Sequence, residues 1–260
     1  MHMPKQINAI TLLVIVLAVA IVFIVVRQRL DTSPNSGPAT NVLSSTSIVQ
    51  TPKSTTDYTL GLSPSLQDGK WGLVDSTGAF VVPAEYDNAY PFSDGLAAVE
   101  ANNQWGFINV TGKLVIPPQF DVVYPFSDGL AAVVPDGTSG KWGYIDTTGK
   151  FVIEPQYFGA QSFSDGLAVV GDSHFKFGYI DTTGKLVIPM QFSNAADFSE
   201  GLAVVKIGDK YGFIDPTGKA VIPPQFENAS SFSDGLAQVE TGSTWRFLDK
   251  AGNYVQTPDN

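Results

Sequence analysis

FSDGLAAVEANNQWGFINVTGKLVIPPQFDVVYP, residues 92–125, is the stretch of this 260-residue chain that decides the fold. Copies of it recur in phase, and we number them as units one to six. They begin at Tyr58 (as YTLGLS), Phe92, Phe126, Phe163, Phe198 (as FSEGLA) and Phe232. A nearly constant period of roughly 35 residues predicts a repeat protein in which each copy is one structural unit.

A second motif, an aromatic residue followed by Gly, marks the middle of each unit. It occurs at Trp71, Trp105, Trp142, Phe177 and Tyr211, and the sixth copy is Trp245 followed by Arg246. The spacing from this aromatic residue to the next FSDGLA never changes, as a comparison of Trp71 to Phe92 with Tyr211 to Phe232 illustrates. The spacing from FSDGLA to its own aromatic residue is longer in units three and four than in the other units. All the variation in length is therefore confined to one loop per unit.

Each unit is predicted to fold as three short β-strands. The first follows FSDG, as at residues 96–100, the second contains the aromatic–Gly pair, and the third contains the VIP segment. β-Branched and aromatic residues bounded by turn residues are typical of strands. A D-x-T-G-K turn joins the second strand to the third, and such a three-residue hairpin loop needs positive φ, which glycine adopts without steric cost. This glycine recurs as Gly78, Gly112, Gly149, Gly184, Gly218 and Gly252.

Three other recurring residue types have structural interpretations. Proline in the VIP segment is expected to end the third strand, because it cannot donate to a continuing ladder. The Asp of FSDG is expected to hydrogen-bond its own backbone in an Asp-Gly turn. The aromatic residue before Gly is expected to pack between neighbouring units. The prolines are Pro83, Pro117, Pro155, Pro189 and Pro223, and the aspartates are Asp94, Asp128, Asp165 and Asp234.

One unit cannot bury enough apolar surface to fold alone, so neighbouring units must cover each other's faces. We therefore predict an all-β fold of six tandem three-stranded β-meanders, roughly eighteen strands, stacked as an open solenoid or superhelix. The alternative is a closed six-bladed propeller-like ring. We favour the open form because propeller blades usually carry four strands, and because a polar terminal unit caps an open array. The sixth unit carries Arg246, Asn253, Gln256 and Thr257 where inner units have Gly, Lys, Ile and Pro.

The beginning of the chain differs in kind from the repeats. Residues 1–6 form a short tail, and residues 7–26 form an uncharged run in which only Asn8 and Thr11 are polar. A helix of this length spans the hydrocarbon core of a bilayer, so we predict an uncleaved transmembrane anchor. A cleaved signal peptide is the alternative, but its apolar core is shorter, and the candidate cleavage site at 18–20 lies inside the run.

Residues 27–57 are predicted to be a disordered tether between the anchor and the repeats. From Asp31 to Asp57, Ser and Thr make up almost half of the segment, and this composition cannot bury a core. Lys5 on one side of the anchor and Arg27 and Arg29 on the other are nearly balanced, so the positive-inside rule does not decide the orientation. The short tail and the tether favour a single-pass membrane protein whose repeat domain, residues 58–260, is extracytoplasmic.

Charge and residue inventory exclude several classes of function. From residue 57 onward the chain holds 24 acidic and 11 basic side chains, a net charge of −13, which predicts no nucleic-acid partner. The chain has no Cys, and its two histidines are His2 and His174, so neither a Cys/His pair nor a zinc cluster can be assembled. Nearly all carboxylates occupy repeated turn positions, without an acidic break that would mark a single active site. We predict no catalytic residue, no cofactor and no metal.

The segments WGFIN, WGYID, FGYID and YGFID, each preceded by FS[DE]GLA and followed by a TG turn and a VIP segment, resemble the bacterial WG (or KWG) repeat family. The resemblance extends over residues 58 to about 258. It implies a β-repeat array that mediates interactions and is often joined to an anchor or to other domains. It transfers no catalytic residue. Phe177, Tyr211 and Arg246 depart from the Trp-Gly pair and indicate local repacking.

Binding is expected at the loop before each aromatic–Gly pair. Length and sequence vary there while the rest of the unit repeats, and variable loops on a rigid scaffold are where recognition is usually located. The candidate partner-binding residues are Asn102, Asn103, Asp136, Ser139, His174 and Asp209. The predicted function is a membrane-anchored, non-enzymatic binding module whose partner is a protein or an envelope polymer. The alternatives are a structural or self-assembling envelope component and, more remotely, a hydrolase of envelope carbohydrate.

Overall fold

The computed structural model describes residues 61–255, and these form β-strands and turns without a helix. The all-β prediction is confirmed for this range. The predicted anchor at 7–26, the tether at 27–57 and the start of unit one at Tyr58 lie outside the described residues. Within 61–255, no helix is long and apolar enough to cross a membrane.

The strands form five antiparallel sheets in which neighbours in sequence are also neighbours in space. The first sheet contains β1 (Ser63–Gln67), β2 (Lys70–Val74) and β3 (Phe80–Tyr86). The second contains β4 (Asn88–Ala89), β5 (Leu96–Ala101), β6 (Gln104–Asn109), β7 (Leu114–Val123), β8 (Leu130–Pro135), β9 (Trp142–Asp146) and β10 (Phe151–Tyr157). The third contains β11 (Gly159–Ala160), β12 (Leu167–Gly171), β13 (Phe177–Asp181) and β14 (Leu186–Phe192). The fourth contains β15 (Asn194–Ala195), β16 (Ala203–Ile207), β17 (Lys210–Ile214) and β18 (Ala220–Phe226). The fifth contains β19 (Asn228–Ala229), β20 (Leu236–Thr241), β21 (Thr244–Asp249) and β22 (Tyr254–Val255).

The inner meanders have four strands, so the prediction of three strands per unit is wrong. The additional strand has two residues, precedes FSDG and pairs with the strand that follows FSDG, as in Asn194↔Lys206 and Ala195↔Val205. Two residues are too few to show an alternating pattern, so no sequence signal marks this strand. In the second sheet the corresponding segment is fused to the preceding strand as β7, which joins units two and three into one seven-stranded sheet.

The prediction that proline ends the third strand is also wrong. In β14 the pairs Tyr179↔Ile188 and Phe177↔Phe192 lie on either side of Pro189, so the strand continues through the proline. Three residues of β14 oppose the single residue Gly178, which is a bulge. The missing N–H of proline costs nothing there, because bulged residues are already outside the ladder.

This bulge explains the glycine of the aromatic–Gly pair. A Cβ on Gly178 would lie 2.5 Å from the carbonyl oxygen of Ile188 and 2.8 Å from the backbone nitrogen of Met190. Side chains do not approach backbone atoms so closely, so only glycine fits beneath the bulge. The same backbone approach, at 2.4 to 2.7 Å, is found at Gly72, Gly106, Gly143 and Gly212.

The core lies between successive sheets, so the strand that follows FSDG is buried on both faces in the inner units. On β12, Ala168 and Val170 belong to a cluster with Ile153 of the preceding unit, whereas Val169 belongs to a cluster with Val205 of the following unit. Burial on both faces explains why these strands are continuously apolar instead of alternating. The aromatic slot packs between units as predicted, and Trp105, for example, lies in one cluster with Phe126.

The D-x-T-G-K turns interlock neighbouring units. Their glycines have φ between 79° and 87°, which confirms the predicted turn. A Cβ on Gly149 would lie 3.2 Å from the side chain of Ile116 in the preceding unit, and a Cβ on Gly184 would lie 3.0 Å from Ile153. Among the described residues, Gly78 of unit one has no such neighbour within 4 Å. The turn therefore serves as a contact between units as well as a hairpin.

The FSDG hairpins form a hydrogen-bonded column along the array. The serine hydroxyl of each motif donates to the phenylalanine carbonyl of the next, as from Ser164 Oγ to Phe198 O at 2.9 Å. Asp94 Oδ2 accepts from the backbone N–H of Gly129 in the next unit at 2.8 Å, and Asp128 does the same at 2.9 Å. The prediction that these aspartates bond their own backbone is therefore wrong. The Ser93–Leu96 backbone pair already closes that turn, which leaves the carboxylate for the next unit.

Candidate functional site

The predicted binding residues lie in four of six equivalent hairpins, each of which joins the strand after FSDG to the strand with the aromatic–Gly pair. We call the hairpins at residues 68–69, 102–103, 136–141, 172–176, 208–209 and 242–243 the WG rim. The six candidates, Asn102, Asn103, Asp136, Ser139, His174 and Asp209, are all exposed. Asn102, Asn103 and Ser139 have positive φ, at 54°, 62° and 55°, so they form the turns as well as the surface.

Contacts with a shared connector residue bring successive rim hairpins together. Asp87, which precedes β4, pairs with Lys70 Nζ next to the first hairpin at 2.5 Å. Its other carboxylate oxygen accepts from the backbone N–H of Asn102 in the second hairpin at 3.0 Å. The Lys70 ammonium and then the Asn102 N–H hold the pKa of Asp87 below its usual value. Consecutive hairpins therefore lie on the same side of the array.

The same connector position has the same role further along the chain. Glu227 lies 3.7 Å from Lys210 Nζ, beside the fifth hairpin, and accepts from the N–H of Ser243 in the sixth hairpin at 3.5 Å. In unit three the position is Phe158, and Lys141 Nζ lies 5.5 Å from the centre of its ring. In these three units the connector residue, which is acidic or aromatic, thus contacts a lysine in a rim hairpin or directly after one.

The two longest rim hairpins are ordered by their own hydrogen bonds. In the third, Thr138 Oγ1 donates to the carbonyl of Pro135 at 2.7 Å. In the fourth, Asp172 Oδ1 accepts from the backbone N–H groups of His174 and Lys176 at 2.8 and 2.9 Å. Phe175 in this hairpin is 75% exposed and has φ of 57°. Phe175 is not among the residues predicted from the sequence, although an aromatic residue inside a polar loop is a signal that could have identified it.

The D-x-T-G-K turns lie at the opposite end of the same strands. Their aspartates accept hydrogen bonds from residues of their own hairpins. Asp146 Oδ1 accepts from Thr148 Oγ1 at 2.6 Å, from Thr148 N at 2.9 Å and from Lys150 N at 3.1 Å. These bonds, that from the Thr148 side chain most of all, hold the pKa of Asp146 below its usual value. Such a carboxylate is a turn element and is not poised to exchange protons near neutral pH.

Asp197 breaks the repetition, so the prediction that the chain has no acidic break is wrong. The residue before the FSDG phenylalanine is Pro, Pro, Ser, Asp and Ser in units two to six, and Asp197 is the acidic member. It is half-buried, and burial raises its pKa to about 6. With its amide nitrogen facing Asp197, Gln161 donates to Oδ1 at 2.7 Å and to Oδ2 at 3.2 Å, and these bonds favour the ionised carboxylate and so act against the rise in pKa that burial causes. Comparing this slot across the units would have revealed Asp197.

Tyrosines surround this carboxylate, and we call Tyr124, Tyr144, Gln161, Tyr179 and Asp197 the Asp197 cluster. Tyr144 Oη donates to the carbonyl of Gln161 at 2.8 Å, and Tyr179 Oη donates to that of Ala196 at 2.7 Å. The ring of Tyr124 stacks on Trp142, with centroids 5.2 Å apart. Burial raises the pKa of all three phenols, and the negative charge of Asp197 raises each further.

Comparison with known proteins identifies the repeat. Five segments, residues 71–105, 105–137, 142–171, 177–211 and 211–245, match the family described as "WG containing repeat". Together they cover more than half of the chain. No curated protein matches the sequence.

Several solved structures are similar to the chain at low sequence identity. BamB from Moraxella catarrhalis has 12% identity and a TM-score of 0.47 and covers 76% of this chain and 72% of its own. Hsv2p from Kluyveromyces lactis has 8% identity and a TM-score of 0.47, covering 73% and 71%. The WD40 β-propeller domain of Doa1 has 12% identity and a TM-score of 0.37, covering 66% and 69%.

Proposed function

Since the chain belongs to the family of WG-containing repeat proteins, we propose that it is a non-enzymatic interaction module that binds a protein or an envelope polymer through the WG rim. The observation that carries this proposal is the confinement of all length variation among units to the rim hairpins, while the strand after FSDG and the FSDG hairpin contact neighbouring units. Variable exposed loops on a scaffold that is otherwise constant are suited to recognition.

The positioning of the rim supports this function. Asp87 links the first and second hairpins, and Glu227 links the fifth and sixth. A surface that is ordered before binding loses less conformational entropy when a partner docks. When contacts are spread over several hairpins, each contact contributes little to the binding free energy. We therefore expect a single rim substitution to weaken binding by about 1 kcal/mol or less.

We further propose that the six units form an open array. The face of the first sheet that points away from unit two carries Ser63 and Ser65, where inner units have alanine and valine. At the other end, Gln238 is exposed on the strand after FSDG, where inner units have alanine or valine. Polar outer faces on terminal units are what an open array requires. They also favour a binding module over end-to-end self-assembly.

Membrane attachment completes the proposal: residues 7–26 anchor the chain, and residues 27–57 hold an extracytoplasmic repeat domain away from the bilayer. The uncharged run and the Ser/Thr-rich segment after it support this arrangement. Protease added to intact spheroplasts should cut within 27–57 and release the repeats. Protection of the repeats until the membrane is permeabilised would reverse the orientation.

Site-specific photo-crosslinking in living cells tests the rim. A photoreactive amino acid is placed in the full-length chain at Asp136 or His174 on the rim, or at Thr148 or Thr183 in the opposite hairpins of the same units. The rim positions should give a discrete adduct that the opposite positions lack, and the adduct should disappear when residues 136–141 are replaced by the shorter 102–103 turn. Equal adducts at both ends, or adducts only at Thr148 and Thr183, would refute the rim as the binding surface.

A further inference from the structure

The Asp197 cluster contains a half-buried carboxylate without a cationic partner. The ion pairs within residues 61–255 join Lys70 to Asp87, Lys210 to Glu227 and Lys250 to Glu200, and Asp197 takes part in none of them. Its one side-chain donor is the amide of Gln161. A carboxylate taken out of water is stabilised only by pairing and by hydrogen bonds to its remaining lone pairs. The single amide of Gln161 therefore leaves lone pairs on both carboxylate oxygens of Asp197 without a donor.

The groups around Asp197 are suited to a cation. Tyr124, Tyr144 and Tyr179 are close enough to Asp197 for its charge to raise their pKa values, and their phenols are neutral at physiological pH. Tyr144 and Tyr179 donate their hydroxyls to backbone carbonyls and cannot donate to the carboxylate. The face of an aromatic ring attracts a cation, and the attraction increases as water is excluded.

The charge of the repeats favours the approach of a cationic group. Residues 57–260 have a net charge of −13, and Asp165, in the FSDG hairpin that follows Gln161, is exposed. A field of one sign steers oppositely charged partners toward a surface and raises the association rate.

We propose that the Asp197 cluster binds the guanidinium group of an arginine side chain presented by a partner polypeptide. Guanidinium matches a carboxylate with two parallel hydrogen bonds and stacks on aromatic rings, whereas ammonium does neither as well. Asp197 supplies the charge, and Gln161 orients the carboxylate. The cluster contains no WG rim residue, so this site is additional to the rim and does not depend on it.

The chain itself offers a matched replacement for Asp197. Ser162, at the end of unit three, and Ser231, at the end of unit five, occupy the same slot, so Asp197→Ser uses a side chain that this fold already accommodates. Asp165→Asn removes one negative charge from an exposed position in a neighbouring hairpin and is the control for net charge. Thermal melting of both variants establishes that they are folded.

Binding to the full-length chain in detergent micelles is measured with a fluorescent peptide, Gly-Gly-Arg-Gly-Gly, and with its citrulline counterpart, which has the same shape but no charge. The arginine peptide should bind at least about tenfold more tightly than the citrulline peptide, because a hydrogen bond to a charged group is worth about this factor. Asp197→Ser should remove that advantage, and Asp165→Asn should retain it. Free N-acetyl-arginine amide should compete only weakly if the site selects a polypeptide.

Lowering the pH provides an independent readout. Protonation of the carboxyl removes the charge, so the affinity of wild-type chain for the arginine peptide should fall about tenfold between pH 7.5 and pH 5, while Asp197→Ser should show no such fall. Equal binding of the arginine and citrulline peptides, the same affinity in Asp197→Ser as in Asp165→Asn, or no binding of the arginine peptide at millimolar concentration would each overturn the proposal. Competition by N-acetyl-arginine amide as strong as that by the peptide would overturn the assignment to a polypeptide.

Discussion

Units four and six contain the same motifs but differ in the residue that follows the aromatic one, which is Gly178 in unit four and Arg246 in unit six. In unit four, Gly178 lies beneath the bulge of β14. In unit six the same slot holds Arg246, and its side chain lies over the ring of Tyr254 at 5.1 Å, beside a described third strand that ends at Val255. The glycine after the aromatic residue recurs in the units in which the bulge of the next strand passes close to it. The residues of unit six that follow Val255 lie outside the described residues.

The aromatic slot gives the same result. Trp105 is 8% exposed and lies in a cluster with residues of unit three, whereas Trp245 in the last unit is 50% exposed. The two residues are chemically identical, so the difference comes from the neighbour that unit six lacks within residues 61–255. The burial of this recurring tryptophan therefore depends on the adjoining unit and not on the strand that carries it.

The largest expected effect tests the bulge. Gly178→Ala places a Cβ 2.5 Å from a backbone oxygen, and the backbone must move, so we expect a loss of more than about 3 kcal/mol of unfolding free energy. Arg246→Ala in the equivalent slot should cost about 0.5 to 1 kcal/mol, the value of a surface cation–π contact. Urea denaturation of the full-length chain measures both. Similar losses for the two variants would show that the bulge does not demand glycine.

A second pair of variants separates backbone strain from contact between units. Gly149 and Gly78 have φ of 85° and 83°, so valine is strained equally at both, by about 1 to 3 kcal/mol. Valine at 149 also crowds Ile116, which a Cβ would approach to 3.2 Å, and should cost about 1 kcal/mol more. The two melting temperatures should therefore differ, with Gly149→Val lower. Equal values would mean that the turn does not lock neighbouring units.

Asp197 should make the free energy of unfolding depend on pH, and Asp197→Ser should remove this dependence. Its folded pKa of about 6 lies above the value of about 4 for an unfolded chain, so ionisation disfavours the fold. This penalty is absent below about pH 4, develops between pH 4 and 6 and is complete above pH 6. Asp197→Ser should therefore be more stable than wild type by about 1 to 2 kcal/mol at pH 7.5 and show no such gain at pH 4. A gain that is independent of pH would contradict the raised pKa.

The smallest expected effect concerns the FSDG column. Ser164 Oγ donates to Phe198 O at 2.9 Å, and Ser164→Ala should cost about 1 kcal/mol, the usual value of a hydrogen bond that is lost. Ser233, in the last motif, is exposed and makes no corresponding bond to a described residue. Ser233→Ala should therefore be neutral. Chemical denaturation of the two variants distinguishes them, and a loss at Ser233 equal to that at Ser164 would point to a partner for the last motif.

The sequence analysis succeeded where a residue's own backbone conformation decides the structure. Gly149 requires positive φ wherever its unit is placed, so the turn could be predicted from one unit alone. It failed where the deciding atom lies elsewhere. The carboxylate of Asp94 bonds to Gly129 in the following unit, and the two-residue strand Asn194–Ala195 is recognisable only by its pairing with β16.

The candidate sites divide in the same way. Variable loop length marked the WG rim, because a loop that tolerates insertion is an exposed one, and the exposure of Asn102 and His174 agrees. The Asp197 cluster was not predicted, because Tyr124, Gln161 and Asp197 belong to three different units. Their proximity follows from the stacking of the units, which no single unit encodes.

By itself the sequence determined the period, the β-meander and the hairpin glycines, since these follow from local sterics and from the pattern of apolar residues. The tertiary structure alone decided what the recurring residues contact. A bulge passes over Gly178, Ser164 bonds to the next motif, and burial raises the pKa of Asp197. The physical reason is that each of these depends on atoms brought close by folding, whose distances cannot be read from one unit.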